Sequence, residues 1–128
     1  MKRLTLLGLL GLAVACGSLP SARAQASEED PTIFFGKLLE AIESNNYSAF
    51  VANGTDEFKT GMTTQMLQSV SVQFAPRLQK GYQRVYLGEL RQQGSQVYLW
   101  KLVFKDGGDD TLVKLVIKKG KVAGFWLQ

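Results

Sequence analysis

Three turn signals cut residues 82–127 into four apolar-rich stretches, and their spacing constrains the fold more than any other feature of the chain. Gln93-Gly94 and Lys119-Gly120 each read as a two-residue hairpin turn, and Asp106-Gly107-Gly108-Asp109 as a four-residue loop. The first sets Leu87 opposite Trp100 and Val85 opposite Leu102. The loop sets Phe104 opposite Thr111 and Trp100 opposite Leu115. The last sets Ile117 opposite Val122 and Val113 opposite Trp126. A slip of one residue would turn a strand's apolar set over, so it matters that all three turns give one inner face. That face holds Val85, Leu87, Tyr98, Trp100, Leu102, Phe104, Val113, Leu115, Ile117, Val122 and Trp126. The expectation is a four-stranded antiparallel sheet centred on residues 97–104.

The outer face of the same sheet is less ordinary. It carries Val97, Leu99, Val103, Leu112, Val116, Ala123, Phe125 and Leu127, with Lys101, Lys114, Lys118 and Lys121 among them. In this register Lys101 lies opposite Lys114, a like-charge pair that costs stability. Apolar side chains on this scale reach or exceed the roughly 300–600 Å² of a typical monomer's largest patch. A partner is therefore expected on Leu99, Lys101, Val103, Leu112, Lys114, Val116 and Phe125, most simply a second copy packing sheet on sheet. The alternative is a one-sided sheet whose lysine stems cover their apolar neighbours.

The stretch before residue 81 reads as helices. Asp30-Pro31 places an N-cap before a proline at the first helical position, where the missing N–H costs nothing. Phe34, Phe35, Leu38, Leu39 and Ile42 follow at helical spacing, with Lys37, Glu40 and Glu43 opposite. Asn45 and Asn46 suit the left-handed helix end. Tyr47, Phe50 and Val51 mark a short second helix, and Asn53-Gly54 stops it. A third begins at Thr55 and ends at Gly61. Thr63 caps a longer one bearing Met66, Leu67, Val70 and Phe74, which Pro76 should end or kink, the alternative being that Leu78 continues its apolar line for one more turn before Gly81. Helices first and strands after them is the order of a single α+β domain over residues 31–128, with helices in 31–80 packed on one face of the sheet in 82–127.

Residues 1–24 read as a secretory signal: Lys2 and Arg3, a wholly or nearly apolar run over 4–15, then Ser21-Ala22-Arg23-Ala24 with small residues at the cleavage positions. The apolar run is too short to span a bilayer. Cleavage after Ala24 leaves residues 25–30 as a flexible leader and a mature chain of about 104 residues, a size that folds on its core alone. The alternative is lipidation at Cys16, the only cysteine, in Ala13-Val14-Ala15-Cys16. Either way the protein is expected outside the cytoplasm, in the periplasm or beyond, with no membrane span in the mature chain. Three of the 15 basic residues lie in the signal, leaving 12 against 11 acids. Near-neutrality gives no warrant for nucleic-acid binding.

The chemistry is sparse. There is no histidine, and the mature chain has no cysteine once the signal is removed, so zinc sites and Ser–His or Cys–His catalysis are excluded. No cofactor or metal motif is present; Asp106-Gly107-Gly108-Asp109-Asp110 lacks the spaced ligands of a calcium loop. Asn46-Tyr47-Ser48 and Asn53-Gly54-Thr55 fit the glycosylation sequon but read as a helix cap and a turn. Only Glu89 is placed for acid–base work, on the inner face opposite Tyr98, beside aromatic rings that would raise its pKa. The alternative puts it in water at a frayed strand end, facing Arg91.

Phe35-Gly36-Lys37-Leu38-Leu39-Glu40-Ala41-Ile42, Asn46-Tyr47-Ser48-Ala49-Phe50 with Phe58-Lys59, Leu78-Gln79-Lys80-Gly81-Tyr82 and the closing Gly120-Lys121-Val122-Ala123-Gly124-Phe125 form one pattern. It resembles the nuclear transport factor 2-like superfamily, of cystatin-like α+β build, over residues 33–127. The likeness is to its small secreted bacterial members of unassigned function. The resemblance implies a curved sheet wrapped on helices, a cone-shaped pocket, and dimers through the sheet. In this chain the pocket would be lined by Phe35, Leu38, Phe74, Tyr98, Trp100, Phe104 and Trp126. Enzymes of the superfamily place Asp, His or Tyr there, and this chain has no His to offer. The expected function is a non-enzymatic envelope domain that binds a small apolar ligand or a protein partner. The alternatives are a lyase- or isomerase-like enzyme using Glu89 and Tyr98, and an inhibitor or accessory module for another envelope protein.

Overall fold

The computed structural model describes residues 30–128; the expected signal of residues 1–24 with Cys16, and residues 25–29 of the expected leader, lie outside them. Four helices come first: α1 (Pro31–Ser44), α2 (Tyr47–Val51), α3 (Asp56–Gly61) and α4 (Thr64–Lys80). Four strands follow: β1 (Tyr82–Gln92), β2 (Ser95–Phe104), β3 (Thr111–Lys118) and β4 (Lys121–Leu127), in one antiparallel sheet of order β1-β2-β3-β4. The fold is α+β, with the helices against one face of that sheet.

Local chemistry sets the helix ends. The Asp30 carboxylate accepts from the Thr32 amide, and Asn45 closes α1 in the left-handed conformation at φ 53°. Asn46, Thr55 and Thr63 cap the next three helices in the same way. α4 does not stop at Pro76. The proline removes the bond to the Val72 carbonyl, one turn back on a side that is 70% exposed, where water can satisfy it, so the helix runs on to Lys80. Met66, expected on the packed face of α4, is exposed instead.

Phe34, Phe35, Leu38, Leu39 and Ile42 of α1 form the middle of the core. Phe50, Phe58, Leu67 and Leu78 of the other helices surround them, against Trp100, Leu102, Phe104, Val113, Leu115 and Val122 of the sheet. A buried polar bond runs from the Ser71 hydroxyl to the Ile42 carbonyl, 2.6 Å, and ties α4 to the end of α1.

The sheet keeps two of its expected turns and corrects three registers. Gln93-Gly94 and Lys119-Gly120 have positive φ at both positions, as a two-residue turn matched to strand twist requires. Between them the β2–β3 connection is longer than expected. Leu102, not Phe104, faces Thr111, and Arg77 holds the longer loop through the Asp106 carboxylate and the Asp109 carbonyl. That shift of two residues preserves the faces, and it sets Lys114 opposite Leu99, so the unfavourable Lys101–Lys114 pair does not form.

The other two corrections turn side chains over. β1 advances from Tyr86 to Gly88 while β2 advances from Trp100 to Leu99, so Leu87 is an extra residue in a β-bulge. Before that bulge Tyr82, Arg84 and Tyr86 share the inner face with Phe104, Leu102 and Trp100. Val85 faces outward with Lys101, and both Val85 and Leu87 are exposed. In β4 a second bulge at Ala123 separates Ile117↔Val122 from Val116↔Gly124. Beyond it Phe125 and Leu127 turn into the core and Trp126 turns out. Gly54 adds a short bridge beyond β4: the Thr55 amide donates to the Val122 carbonyl and the Val122 amide to the Asn53 carbonyl, each 2.8 Å.

Candidate functional site

The outward face of the sheet is built from cross-strand rows. Leu90, Val97, Val116 and Gly124 form one; Gly88, Leu99, Lys114 and Trp126 the next; Val85, Lys101 and Leu112 a third. Lys118 faces Lys121 beside the β3–β4 turn. Period-two alternation thus places lysine and apolar residues together on the side away from the helices. Among the described residues these four lysines are the only ionisable side chains the register places on that face, and none is in an ion pair.

A groove of about 700 Å³ opens on this face. Val97 and Val116 lie in it, Lys114, Lys118 and Trp126 flank them, and Thr55, Glu57, Gln92, Gln93 and Ser95 complete the rim. Val97 keeps only 2% of its surface exposed although it points away from the helices. Trp126 is 48% exposed, and its indole lies over Gly124, where a side chain would collide with the ring. The Lys114 ammonium stands 5.2 Å from the centre of the same ring, a cation–π contact that holds the indole in place.

Of the partner-face residues read from the sequence, Leu99, Lys101, Val103, Leu112, Lys114 and Val116 share this outward face. Phe125 does not: after the Ala123 bulge its ring packs 6.2 Å from Phe35 and 6.1 Å from Phe50. Trp126 takes the outward place instead; the groove's Lys118 was read on the outer face but outside the partner set, and Glu57 was in neither.

The residues expected to line an inner ligand pocket do not all lie on one side of the sheet. Phe35, Leu38, Trp100 and Phe104 are buried, with Phe35 and Trp100 in ring contact at 4.4 Å. Phe74 packs on Phe104 at 6.3 Å and Tyr98 on Trp100 at 6.3 Å, while Trp126 lies across the sheet.

Glu89 faces Tyr98 in the β1–β2 ladder, as the turn at Gln93-Gly94 implies, and the strand runs on to Gln92 without fraying. Its carboxylate is exposed and accepts from the Tyr86 hydroxyl at 3.2 Å and from the Gln96 amide at 2.6 Å. Desolvation and the bond to Glu89 hold the Tyr86 hydroxyl above the usual phenol range, so it stays a donor at neutral pH. Glu89 is thereby an acceptor shared by two donors.

Asp106 is held at the other end of the sheet. Arg77 reaches it from α4 at 2.7 Å, bonds the Asp109 carbonyl at 2.8 Å, and lies 3.8 Å over the Phe104 ring. Asp106 also accepts from the Gly108 amide, so this acidic loop is a clamp between helix and sheet. Among the described residues no three acids, histidines or cysteines gather closely enough to hold a metal ion, and no helix is long and apolar enough to cross a membrane.

No family model matches the chain, and no curated protein matches it.

Proposed function

We propose that this chain is an exported, non-enzymatic binding domain that engages a protein partner of the cell envelope through the outward face of its sheet. The observation that carries this reading is the groove over Val97 and Val116, with Trp126 half exposed beside it. Aromatic residues beside a screened apolar floor are the composition of interaction surfaces rather than of ordinary solvent-facing sheet. Export rests on the signal-like residues 1–24, with Gln25 as the new N-terminus. The nuclear transport factor 2-like, cystatin-like assignment is supported by helices preceding a four-stranded antiparallel meander.

A photo-reactive amino acid placed at Leu112, and separately at Val72 on the helical side, tests the reading in the protein's own cells. Adducts to another protein are expected from Leu112 and not from Val72. Adducts from Val72 alone, or from neither position, overturn it.

A further inference from the structure

We infer that the partner segment taken by this groove is an extended acidic one in which two acids flank an apolar side chain at the spacing acid-x-apolar-x-acid. This deepens the reading above and rests on it. Lys114, Val116 and Lys118 stand at alternate positions of β3, all directed outward. Alternate residues of a strand share a face and rise together by roughly 6.5–7 Å per pair. An extended segment laid along β3 presents its own alternate residues at the same interval. It sets one acid against each lysine and an apolar side chain on Val116 and Val97. The pattern reads alike in both directions, so either chain direction fits.

Charge selects this occupant over a second copy. Among the described residues Lys101, Lys114, Lys118 and Lys121 meet no acid that the register places on their face, and the acid lining the groove is Glu57 on the rim. Stacking two such faces about a two-fold axis would bring both sets of lysines together with nothing to neutralise them. An acidic segment removes that repulsion, and the apolar position supplies burial that charge alone lacks.

The probe is a labelled peptide containing Glu-Ser-Val-Ser-Glu, followed by anisotropy and by tryptophan emission. Trp126 reports occupancy, because Trp100, the other tryptophan, is buried. Binding is expected to blue-shift Trp126. It should weaken at least about tenfold when salt rises from about 50 to about 200 mM. The same loss is expected with Gln for both Glu in the peptide, with the acids moved to adjacent spacing, or in a K114S/K118S protein. A K114R/K118R protein should bind as the parent does, and K80S, on α4, should change nothing.

Equal binding of the Gln peptide overturns the acidic partner while leaving an outward-face binding site. Equal binding of the adjacent-acid peptide overturns the spacing. Lysine-dependent binding to phosphatidylglycerol vesicles, with none to the peptide, overturns it in favour of a membrane surface. A stable dimer by light scattering that the peptide does not compete overturns it in favour of a second copy. No response of Trp126 to any probe, together with no Leu112 adducts, overturns both the inference and the reading beneath it.

Discussion

Gly88 and Gly124 lie on the outward face beside the two bulges, and each is needed for a different reason. Gly88 has φ 142° with open space where a side chain would go, so its requirement is backbone conformation alone. Gly88→Ala should cost about 1–3 kcal/mol, read as a lower urea midpoint. Gly124 is needed for space, because the Trp126 ring occupies the place of its side chain. Gly124→Val should push the half-exposed indole into water, shifting its emission to the red while changing stability by less than about 1 kcal/mol. Asp106 gives a pH test. Its hydrogen bond from Arg77, then that from the Gly108 amide, hold its carboxyl below the usual carboxylate range. A group depressed in the folded state stabilises above its unfolded value, near pH 4, and loses that contribution as pH falls through the lower folded value. Urea midpoints between about pH 5 and pH 3 should therefore fall less steeply for Asp106→Asn than for the parent. The difference will be small, because the pair is near the surface.

Among the elements, β4 separates what sequence alone conveys from what it does not. Phe125 and Trp126 are adjacent aromatics, and alternation fits either one facing inward. The bulge at Ala123 decides for Phe125. Phe125→Ala should then cost about 3 kcal/mol and Trp126→Ala under about 1 kcal/mol, a contrast that thermal or urea unfolding measures directly. The reverse order would restore the unbulged register. Helix boundaries were legible because their signals are local: Asp30 before Pro31, Asn46, and Thr63 each hold their own cap. Two of the turns were legible for the same reason. Bulges are set by twist and by packing across strands, so the marks they leave here are Gly88 and Gly124, glycines inside strands. The outward site was readable through β2 and β3, where no bulge intervenes, and misread in β4, where one does. The β2–β3 loop was misjudged because its length depends on Arg77, 29 residues before Asp106.

Taken whole, the molecule treats the two edges of its sheet differently. Residues 53–55 occupy the outer side of β4, whereas no described strand pairs with the outer side of β1. That eleven-residue edge exposes Val85, Tyr86, Leu87 and Leu90. The Leu87 bulge and the charges of Arg84, Glu89 and Arg91 are the devices that discourage pairing with another chain. V85K/L87K should raise the concentration at which heated protein scatters light, with an unchanged urea midpoint. The core sets the scale for such effects. Phe35, fully buried against Trp100 and Phe125, should cost about 3–5 kcal/mol as Ala, a large share of the roughly 5–15 kcal/mol that holds a domain of this kind together.

The bridge between Gly54 and Val122 also has a consequence for timing. The segment linking α2 to α3 finds its hydrogen-bond partner only in β4, which is made after every other described strand. Until then the helical half has neither that anchor nor the sheet face that covers Phe50 and Phe58. A domain unable to finish folding before β4 is made stays threadable until then, which suits the export proposed for it.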